Sequence, residues 1–332
     1  MDIITDDAID PAPLAGKRIA IIGYGNQGRA QALNLADSGM DVVVGLREGS
    51  ATVEQVRADG LTALPLEQAP RDAALTMMLV PDELMTGIYG LVEPALERGS
   101  ALGFSHGLAV HFNHVRPRAD LDVLLVAPKG PGTALRQLHT EGKGMPALWA
   151  VAEDRSGKAR QVALAYGQAI GCARAGLIAS SFEEECVADL FNEQAVVWGG
   201  VPALLLAGYE TLVETGYSEE VAYFECVREL KLLADLIEAR GIAGMREVIS
   251  NTAELGAVLG GPAVIDHHVR ARMRDIMTSV RGGEFAAQLA QEAAEGYPLL
   301  TKARERARAH RAEAVRQRLE EISPTSASSS TS

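Results

Sequence analysis

The chain has 332 residues, of which 47% are hydrophobic and 23% are charged, and its formal net charge is −13 at pH 7. This length and composition predict about two globular domains, each with a sizeable core. The acidic balance argues against a nucleic-acid partner or an anionic membrane surface. The sequence suggests no apolar stretch long enough to span a membrane, and the acidic amino terminus does not resemble a signal peptide.

Short apolar runs alternate with helical patterns in residues 1–181. Such alternation, with short connections, predicts a Rossmann-like α/β domain with a parallel sheet and helices on both faces. The predicted strands are 17–23, Asp41–Leu46, 74–80 and the apolar runs within ALGFSH, DVLLVAP, PALWAVAE and ARAGLIASSF.

The pattern changes near Ser181, beyond which no segment has a convincing strand pattern. Long segments with a 3.6-residue period predominate instead, and glycines separate them. We therefore predict an all-α domain over 182–322, followed by a serine-rich, disordered tail at 323–332. The predicted helical segments are 183–213, 218–240, 242–259, 263–281 and 301–322.

The chain contains three cysteines, Cys172, Cys186 and Cys226. The number is odd, and no CxxC pair or Cys/His metal spacing is present, which argues against a disulfide framework or a zinc site. We therefore expect reduced thiols and a cytoplasmic location.

A glycine-rich turn follows the first predicted strand and opens a predicted helix. Gly23, Gly25 and Gly28 have the GxGxxG spacing of a dinucleotide-binding turn in the context that such a turn requires. The first glycine permits a tight turn, the second lets the backbone approach a pyrophosphate, and the third lets the helix pack closely. We assign Tyr24, Asn26 and Gln27 to the same cofactor site. The alternative is a glycine-rich turn without a ligand.

The end of the second predicted strand distinguishes NAD from NADP. An NAD site usually places an acidic residue there to bind the ribose hydroxyls. This chain has Arg47, followed by Ser50 and Thr52, and a guanidinium with two hydroxyls suits a 2′-phosphate. We therefore favour NADPH, although Glu48 would repel a phosphate if it pointed inward. The alternative is a solvated loop.

Two pairs of acids lie on separate predicted helices, Asp189 with Glu193 and Glu225 with Glu229. Each pair has i,i+4 spacing and interrupts an apolar stripe. Like charges at this spacing repel, and carboxylates that face a core are costly unless a cation meets them. Four carboxylates without Cys or His favour Mg²⁺ and are enough for two ions.

Two local features bear on these acids. Ser181 and Glu184 have the spacing of a capping box, which predicts that a helix starts just before the first acid pair. If the acids do not bind a metal, we expect them to lie at a solvated edge and to pair with Arg228 or Lys231.

Together these motifs resemble ketol-acid reductoisomerase, in its short class I form, over residues 16 to 295. The resemblance implies a Mg²⁺-dependent enzyme that converts 2-acetolactate and 2-aceto-2-hydroxybutyrate into 2,3-dihydroxy acids with NADPH, in valine and isoleucine biosynthesis. It also implies a knotted helical domain and a homodimer with shared active sites, to which the second copy contributes Glu225 and Glu229. The matching segments include IAIIGYGNQGRAQALNLADSG, FSHGLAVHF, VAPKGPG, DLFNEQ, FECVRELKL and VISNTAELG.

The resemblance also implies roles for single residues. His106 in the HG motif and Lys129 in APKGPG match catalytic positions, and Ser250 matches a substrate-binding position. Asp82 and Gly132 match stretches that line the cofactor. Without such roles, His106 would be a packed histidine, Lys129 a surface lysine and Ser250 a helix cap.

Five residues depart from the family pattern: Thr52 replaces a serine, Arg29 replaces a histidine, Leu108 and Leu255 replace aromatic residues, and Trp198 is unusual. These changes keep open a paralogue that acts on another ketol acid. The sequence also leaves open a metal-free enzyme similar to 3-hydroxyacid dehydrogenases and a catalytically silent NADP-binding sensor.

Overall fold

The computed structural model describes residues 3–322, so the predicted disordered tail at 323–332 lies outside the described residues. The chain forms two compact units. Unit 1 extends to Ala188 and unit 2 begins at Asp189.

A nine-stranded sheet organises unit 1, in the order β1-β9-β8-β7-β6-β5-β2-β3-β4. The strands from β2 to β7 pair in parallel, which confirms the predicted α/β fold. β8 runs antiparallel to β7, and β1 runs antiparallel to β9. The strands are β1 (Ile3–Ile4), β2 (Arg18–Ile22), β3 (Asp41–Leu46), β4 (Thr62–Pro65), β5 (Ala73–Met78), β6 (Ala101–Phe104), β7 (Asp122–Pro128), β8 (Ala147–Glu153) and β9 (Leu177–Ala179).

Helices cover both faces of this sheet. Along β2, Ile19 and Ile21 belong to one buried cluster, whereas Ala20 and Ile22 belong to another. Successive side chains of a strand point to opposite faces, so a strand buried on both faces is apolar throughout. The helices of unit 1 are α1 (Asn26–Asp37), α2 (Thr52–Ala58), α3 (Met85–Val92), α4 (Leu108–His111), α5 (Gly132–Thr140) and α6 (Ala159–Ala169).

The strand order reverses beside β2. The chain first adds β3 and β4 on one side of β2 and then places β5 on the other side. In open α/β sheets this reversal opens a crevice at the carboxyl ends of the strands, where ligands bind. The carboxyl ends of β2, β3, β5, β6 and β7 therefore position the candidate site in unit 1.

Every regular element described after residue 181 is a helix. The predicted segment 183–213 consists of two helices, α7 and α8, and the predicted segment 301–322 consists of α14 and α15. The segment 242–259 is interrupted at 247–250, and α13 was not predicted. The helices are α7 (Phe182–Ala195), α8 (Gly200–Glu214), α9 (Glu219–Tyr223), α10 (Leu230–Arg246), α11 (Asn251–Val264), α12 (His267–Gly282), α13 (Glu284–Ala294), α14 (Pro298–Arg308) and α15 (Arg311–Ile322).

A π-helical turn, Phe224–Arg228, connects α9 to α10. The amide of Glu229 donates a hydrogen bond to the carbonyl of Phe224, five residues earlier, at 3.3 Å. Further along, Gly241 has a φ of +67° and breaks the helical backbone within α10. This break lies where the sequence predicted a join between two helices.

Unit 2 leaves many of its apolar side chains exposed within the chain. Val221, Leu232 and Leu233, which form part of the apolar stripe that the second acid pair interrupts, are exposed within the chain. Val197 is exposed as well, because α7 ends at Ala195. The helical stretch Phe182–Glu214 is long and apolar enough to cross a membrane, so the prediction that no stretch reaches this length is wrong. The core helix of a soluble protein can have the same composition.

Candidate functional site

The glycine-rich turn lies between β2 and α1, at the reversal of strand order. Gly23 has a φ of +97°, which favours glycine, and a Cβ there would come within 2.5 Å of the Leu79 carbonyl oxygen. A Cβ at Gly28 would lie 2.5 Å from the Gly23 carbonyl oxygen, so this glycine permits close helix–strand packing. Among the described atoms, nothing lies within 4 Å of a Cβ built at Gly25. That open space at a helix N-terminus fits a pyrophosphate.

The segment after β7 packs against this turn. The Gly132 amide donates a hydrogen bond to Asn26 Oδ1, and Gln27 Nε2 donates to the Gly130 carbonyl at 2.8 Å. A Cβ at Gly132 would overlap the carbonyl oxygen of Asn26. The predicted cofactor residues Asn26, Gln27 and Gly132 are therefore brought together, and the side chains of the first two hold the backbone of the 130–132 segment.

The predicted phosphate-binding residues lie between β3 and α2. Arg47 is exposed, Ser50 and Thr52 are half-buried, and Glu48 is exposed. The Thr52 amide donates to Ser50 Oγ at 3.3 Å, so this hydroxyl organises the start of α2. Arg47, Ser50 and Thr52 follow the carboxyl end of β3, which lies next to β2 in the sheet. Asp82 borders the crevice on the other side, in a short 3₁₀ turn (Asp82–Leu84) after β5.

A buried carboxylate joins the ends of β6 and β7. Glu185 is 1% exposed, and its Oε2 lies 3.0 Å from His106 Nδ1 and accepts the Gly107 amide at 2.7 Å. Its Oε1 accepts a hydrogen bond from Lys129 Nζ at 2.8 Å. A Cβ at Gly107 would overlap the Phe182 carbonyl oxygen, so this glycine lets α7 approach β6 closely. The two predicted catalytic residues therefore meet at one carboxylate.

The charge of Glu185 is stabilised by these partners. Burial alone would raise the pKa of the carboxyl group, because it removes water from the charged form. The hydrogen bond from His106 and the charges of His106 and Lys129 outweigh burial and lower the pKa to about 2. An ionised carboxylate only accepts hydrogen bonds, so the proton in the His106 contact lies on Nδ1.

The helix α7 begins with the predicted cap and carries the first acid pair. The Glu184 amide donates to Ser181 Oγ at 3.0 Å, whereas the Glu184 carboxylate accepts from Ser180 Oγ at 2.9 Å. Asp189 lies one turn beyond Glu185, and a carboxylate oxygen of each lies within 4.8 Å of one of the other. These carboxylate oxygens fit a hard cation such as Mg²⁺.

In unit 2, Glu193, Glu225 and Glu229 are all exposed. Glu225 lies in the π-helical turn and Glu229 directly follows it. Among the described residues, neither Glu225 nor Glu229 forms an ion pair with Arg228 or Lys231. Lys231 pairs with Asp235 at 2.9 Å, and the Arg228 guanidinium lies 5.2 Å from the centre of the Phe224 ring.

Ser250 is the N-cap of α11, where its Oγ accepts a hydrogen bond from the Ala253 amide at 3.1 Å. The helix cap expected for a purely structural serine is therefore present. A hydroxyl can accept one hydrogen bond and donate another, so the cap is compatible with substrate binding, which stays a prediction.

Sequence reasoning missed Glu185, although a signal for it was present. The residue lies in the run Glu183–Glu184–Glu185, which looks like ordinary acidic residues in a first helical turn. However, Glu185, Asp189 and Glu193 are spaced by four, so they follow one another along one face of the helix. Three acids at this spacing indicate a functional face more strongly than the pair that was recognised.

Comparisons with known proteins give one consistent match. Residues 13–176 match the family model for the acetohydroxy acid isomeroreductase NADPH-binding domain, and residues 182–325 match that for the ketol-acid reductoisomerase C-terminal domain. An NADH-preferring ketol-acid reductoisomerase from an uncultured archean is 41% identical in sequence, with a TM-score of 0.94, over 98% of this chain and 100% of its own.

More distant structures share the fold. A putative oxidoreductase from Jannaschia sp. is 12% identical with a TM-score of 0.61, over 80% of this chain and 97% of its own. A semialdehyde dehydrogenase NAD-binding protein from Cupriavidus necator is 18% identical with a TM-score of 0.59, over 80% and 98% of the respective chains.

Proposed function

The chain belongs to the ketol-acid reductoisomerase family, and from this premise we propose that it converts 2-acetolactate and 2-aceto-2-hydroxybutyrate into 2,3-dihydroxy acids. The reaction would use NADPH and Mg²⁺ and would serve valine and isoleucine biosynthesis. The observation that carries the proposal is the buried Glu185, which holds His106 and Lys129 at the carboxyl ends of neighbouring strands. This arrangement lies on the same edge of the sheet as the dinucleotide turn.

The residues of unit 1 can orient the substrate and move its proton. With the Nδ1 proton directed to Glu185, Nε2 of a neutral His106 can accept the proton of the substrate hydroxyl. An ammonium carries three N–H groups, so Lys129 can donate to Glu185 and to the substrate carboxylate at the same time. Loss of the hydroxyl proton starts the alkyl shift to the neighbouring ketone, and reduction of the new 2-keto group completes the product.

The four acids Asp189, Glu193, Glu225 and Glu229 would hold two Mg²⁺ ions, and Gly23 to Gly28 would hold the nicotinamide cofactor. When bound, the ions supply Lewis acidity and the cofactor supplies the hydride. The protein's part is to place carboxylate oxygens where hard cations prefer them and to keep the crevice dry.

We propose a homodimer as the minimal unit, in which a second copy covers unit 2 and contributes Glu225 and Glu229. The apolar side chains that unit 2 leaves exposed support this assembly, because large exposed apolar patches mark interfaces. The three free cysteines support a cytoplasmic location.

NADPH is the proposed cofactor because Arg47, Ser50 and Thr52 border the end of β3. The archaeal relative is described as NADH-preferring, so this assignment needs a direct test. Replacement Arg47→Ala should raise the KM for NADPH by about tenfold or more and leave the KM for NADH within about twofold. If Arg47→Ala raised the KM for NADPH and for NADH equally, Arg47 would not be a ligand of the 2′-phosphate. Arg57→Ala is a matched control, since Arg57 is an exposed arginine near the far end of α2 that pairs with Glu54.

The central experiment measures oxidation of NADPH and of NADH with 2-acetolactate, with and without Mg²⁺. We expect turnover that depends on both the ketol acid and the metal. Activity that survives EDTA would favour a metal-free hydroxyacid dehydrogenase, and cofactor binding without turnover would favour a sensor. Rates with a panel of ketol acids would distinguish the family reaction from that of a paralogue that prefers another ketol acid. That alternative remains because Leu108, which replaces an aromatic residue of the family pattern, is buried.

A further inference from the structure

Asp59 connects the dinucleotide turn to the helix that follows the predicted phosphate loop. Its Oδ2 accepts hydrogen bonds from Tyr24 Oη at 2.8 Å and from Arg29 Nε at 2.7 Å. Its Oδ1 accepts from Arg29 Nη2 at 2.9 Å and from Gln55 Nε2 at 3.1 Å. We call Tyr24, Arg29 and Asp59 the Asp59 network.

The charges of this network lie at helix ends that do not favour them. Asp59 is the C-cap of α2, and the dipole of a helix disfavours a carboxylate at that end. Arg29 lies in the first turn of α1, where the dipole of that helix disfavours a cation. Their mutual bidentate pair offsets both effects, since such pairs are strong and directional. The side chain of Asp59 is only 12% exposed, whereas that of Arg29 is 49% exposed.

Asp59 stays ionised and Tyr24 stays protonated at physiological pH, so the hydrogen bonds of the Asp59 network persist there. The hydrogen bond from Arg29, opposed by burial, holds the pKa of Asp59 at about 2. Burial and the hydrogen bond to Asp59 raise the pKa of Tyr24. Tyr24 also packs in the main core of unit 1, so its ring anchors the turn while its hydroxyl reaches α2.

We propose that Asp59, Arg29 and the Tyr24 hydroxyl are positioning residues that fix the distance between the two phosphate-binding ends of the cofactor site. One end is the first turn of α1, beside the pyrophosphate, and the other is the Arg47–Thr52 segment at the start of α2. The carboxylate ties α1 to α2, so it sets how far apart these ends lie. The inference rests on the proposed cofactor function.

The test compares two aspartates of the same unit. Asp59→Asn keeps the side-chain shape but removes the charge, and Asp41→Asn is the matched control. Asp41 pairs with Arg18 at 3.0 Å between β2 and β3, at the amino ends of these strands and therefore away from the turn. The measurements are the KM and dissociation constant for NADPH and NADH, kcat at saturating cofactor, and the unfolding temperature.

We expect Asp59→Asn to raise the KM for the cofactor by about five- to tenfold, with kcat within about twofold of wild type. Asp41→Asn should leave both constants within about twofold. The double variant Asp59→Asn/Arg29→Gln should be no worse than Asp59→Asn alone, because both changes remove the same pair. Tyr24→Phe, which keeps the core ring, gives a milder version of the same effect if Asp59→Asn does not fold.

Three outcomes would overturn the proposal. Equal cofactor constants for Asp59→Asn and Asp41→Asn would make the pair a merely structural one. A fall in unfolding temperature with unchanged KM would lead to the same conclusion. If the wild-type protein binds neither NADPH nor NADH, both the proposed function and this inference are wrong. If the wild-type protein binds a cofactor and Asp59→Asn binds it equally well, only this inference is wrong.

Discussion

The two units treat apolar side chains in opposite ways. Unit 1 fully buries large residues such as Tyr166, Phe104 and Ile21, and its sheet is covered on both faces. Unit 2 leaves Leu232 65% exposed and Leu259 68% exposed, and its buried cluster centres on Tyr209. Unit 1 therefore completes its core within itself, whereas unit 2 keeps apolar helix surfaces that its own helices leave uncovered, as expected of the proposed dimer.

The largest effect should come from the best-buried charge of unit 1. Glu185→Gln keeps the shape of the side chain but removes the charge that holds His106 and Lys129. We expect kcat with 2-acetolactate to fall by about a hundredfold or more, in the range of lost acid–base positioning. Steady-state assays measure the loss, and circular dichroism checks that the variant is folded. A rate within tenfold of wild type would contradict the role of Glu185.

The proposed dimer can be tested at one exposed leucine of unit 2. Leu259→Asp places a charge on the exposed apolar surface of α11, so dimers should dissociate and activity should be lost. Leu91→Asp on α3 is the control, since Leu91 is an exposed leucine of unit 1. Light scattering after size exclusion gives the mass of each variant. An unchanged dimer in Leu259→Asp would show that this surface is not the interface.

Acid should weaken the folded protein through Glu185. The pKa of this group is lowered from 4.5 to about 2, so its stabilising effect is complete above about pH 5 and is lost as the pH falls toward 2. The contribution is on the order of 3 kcal/mol. Urea unfolding at several pH values measures it, and Glu185→Gln should flatten the dependence below about pH 5. Identical slopes for both proteins would assign the acid sensitivity to other carboxylates.

The smallest effect concerns the close packing of unit 1. Gly132→Ala would push a methyl group into the Asn26 carbonyl, so we expect a loss of about 1–3 kcal/mol in the free energy of unfolding. Gly90→Ala in α3 meets open space and should be neutral or stabilising by less than about 1 kcal/mol. Urea unfolding compares the two variants. Equal stability would mean that α5 shifts at no cost.

Sequence patterns predicted the parts of the fold that local chemistry determines. The strand at Asp41–Leu46 has the predicted bounds, because its apolar run begins after Asp41 and is followed by the charged residues Arg47 and Glu48. The sequence predicted a parallel sheet, which is wrong for the pairing of β8 with β7, because strand direction depends on how the chain returns to the sheet rather than on local sequence. β1 and β4 have two and four residues, which is too short for a reliable pattern.

The candidate site was predictable where a residue type stands in a distinctive motif. His106 and Lys129 were identified in this way, and the structure brings both to Glu185. Glu185 itself was hidden, because a buried acid and an exposed one look alike in a run of three glutamates. The Asp59 network was equally hidden, since 30 residues separate Arg29 from Asp59.

The π-helical turn at Phe224–Arg228 also determines where sequences of relatives can differ in length without a change of fold. A helix advances by about 100° per residue, so the loss of one residue normally turns every later side chain to a different side. Here an additional residue is already accommodated in the turn. A relative that lacks one residue at this point could have an ordinary helix and still present its downstream leucines on the same side. Alignments should therefore permit a gap between Phe224 and Glu229, and a gap there would not by itself indicate a different fold.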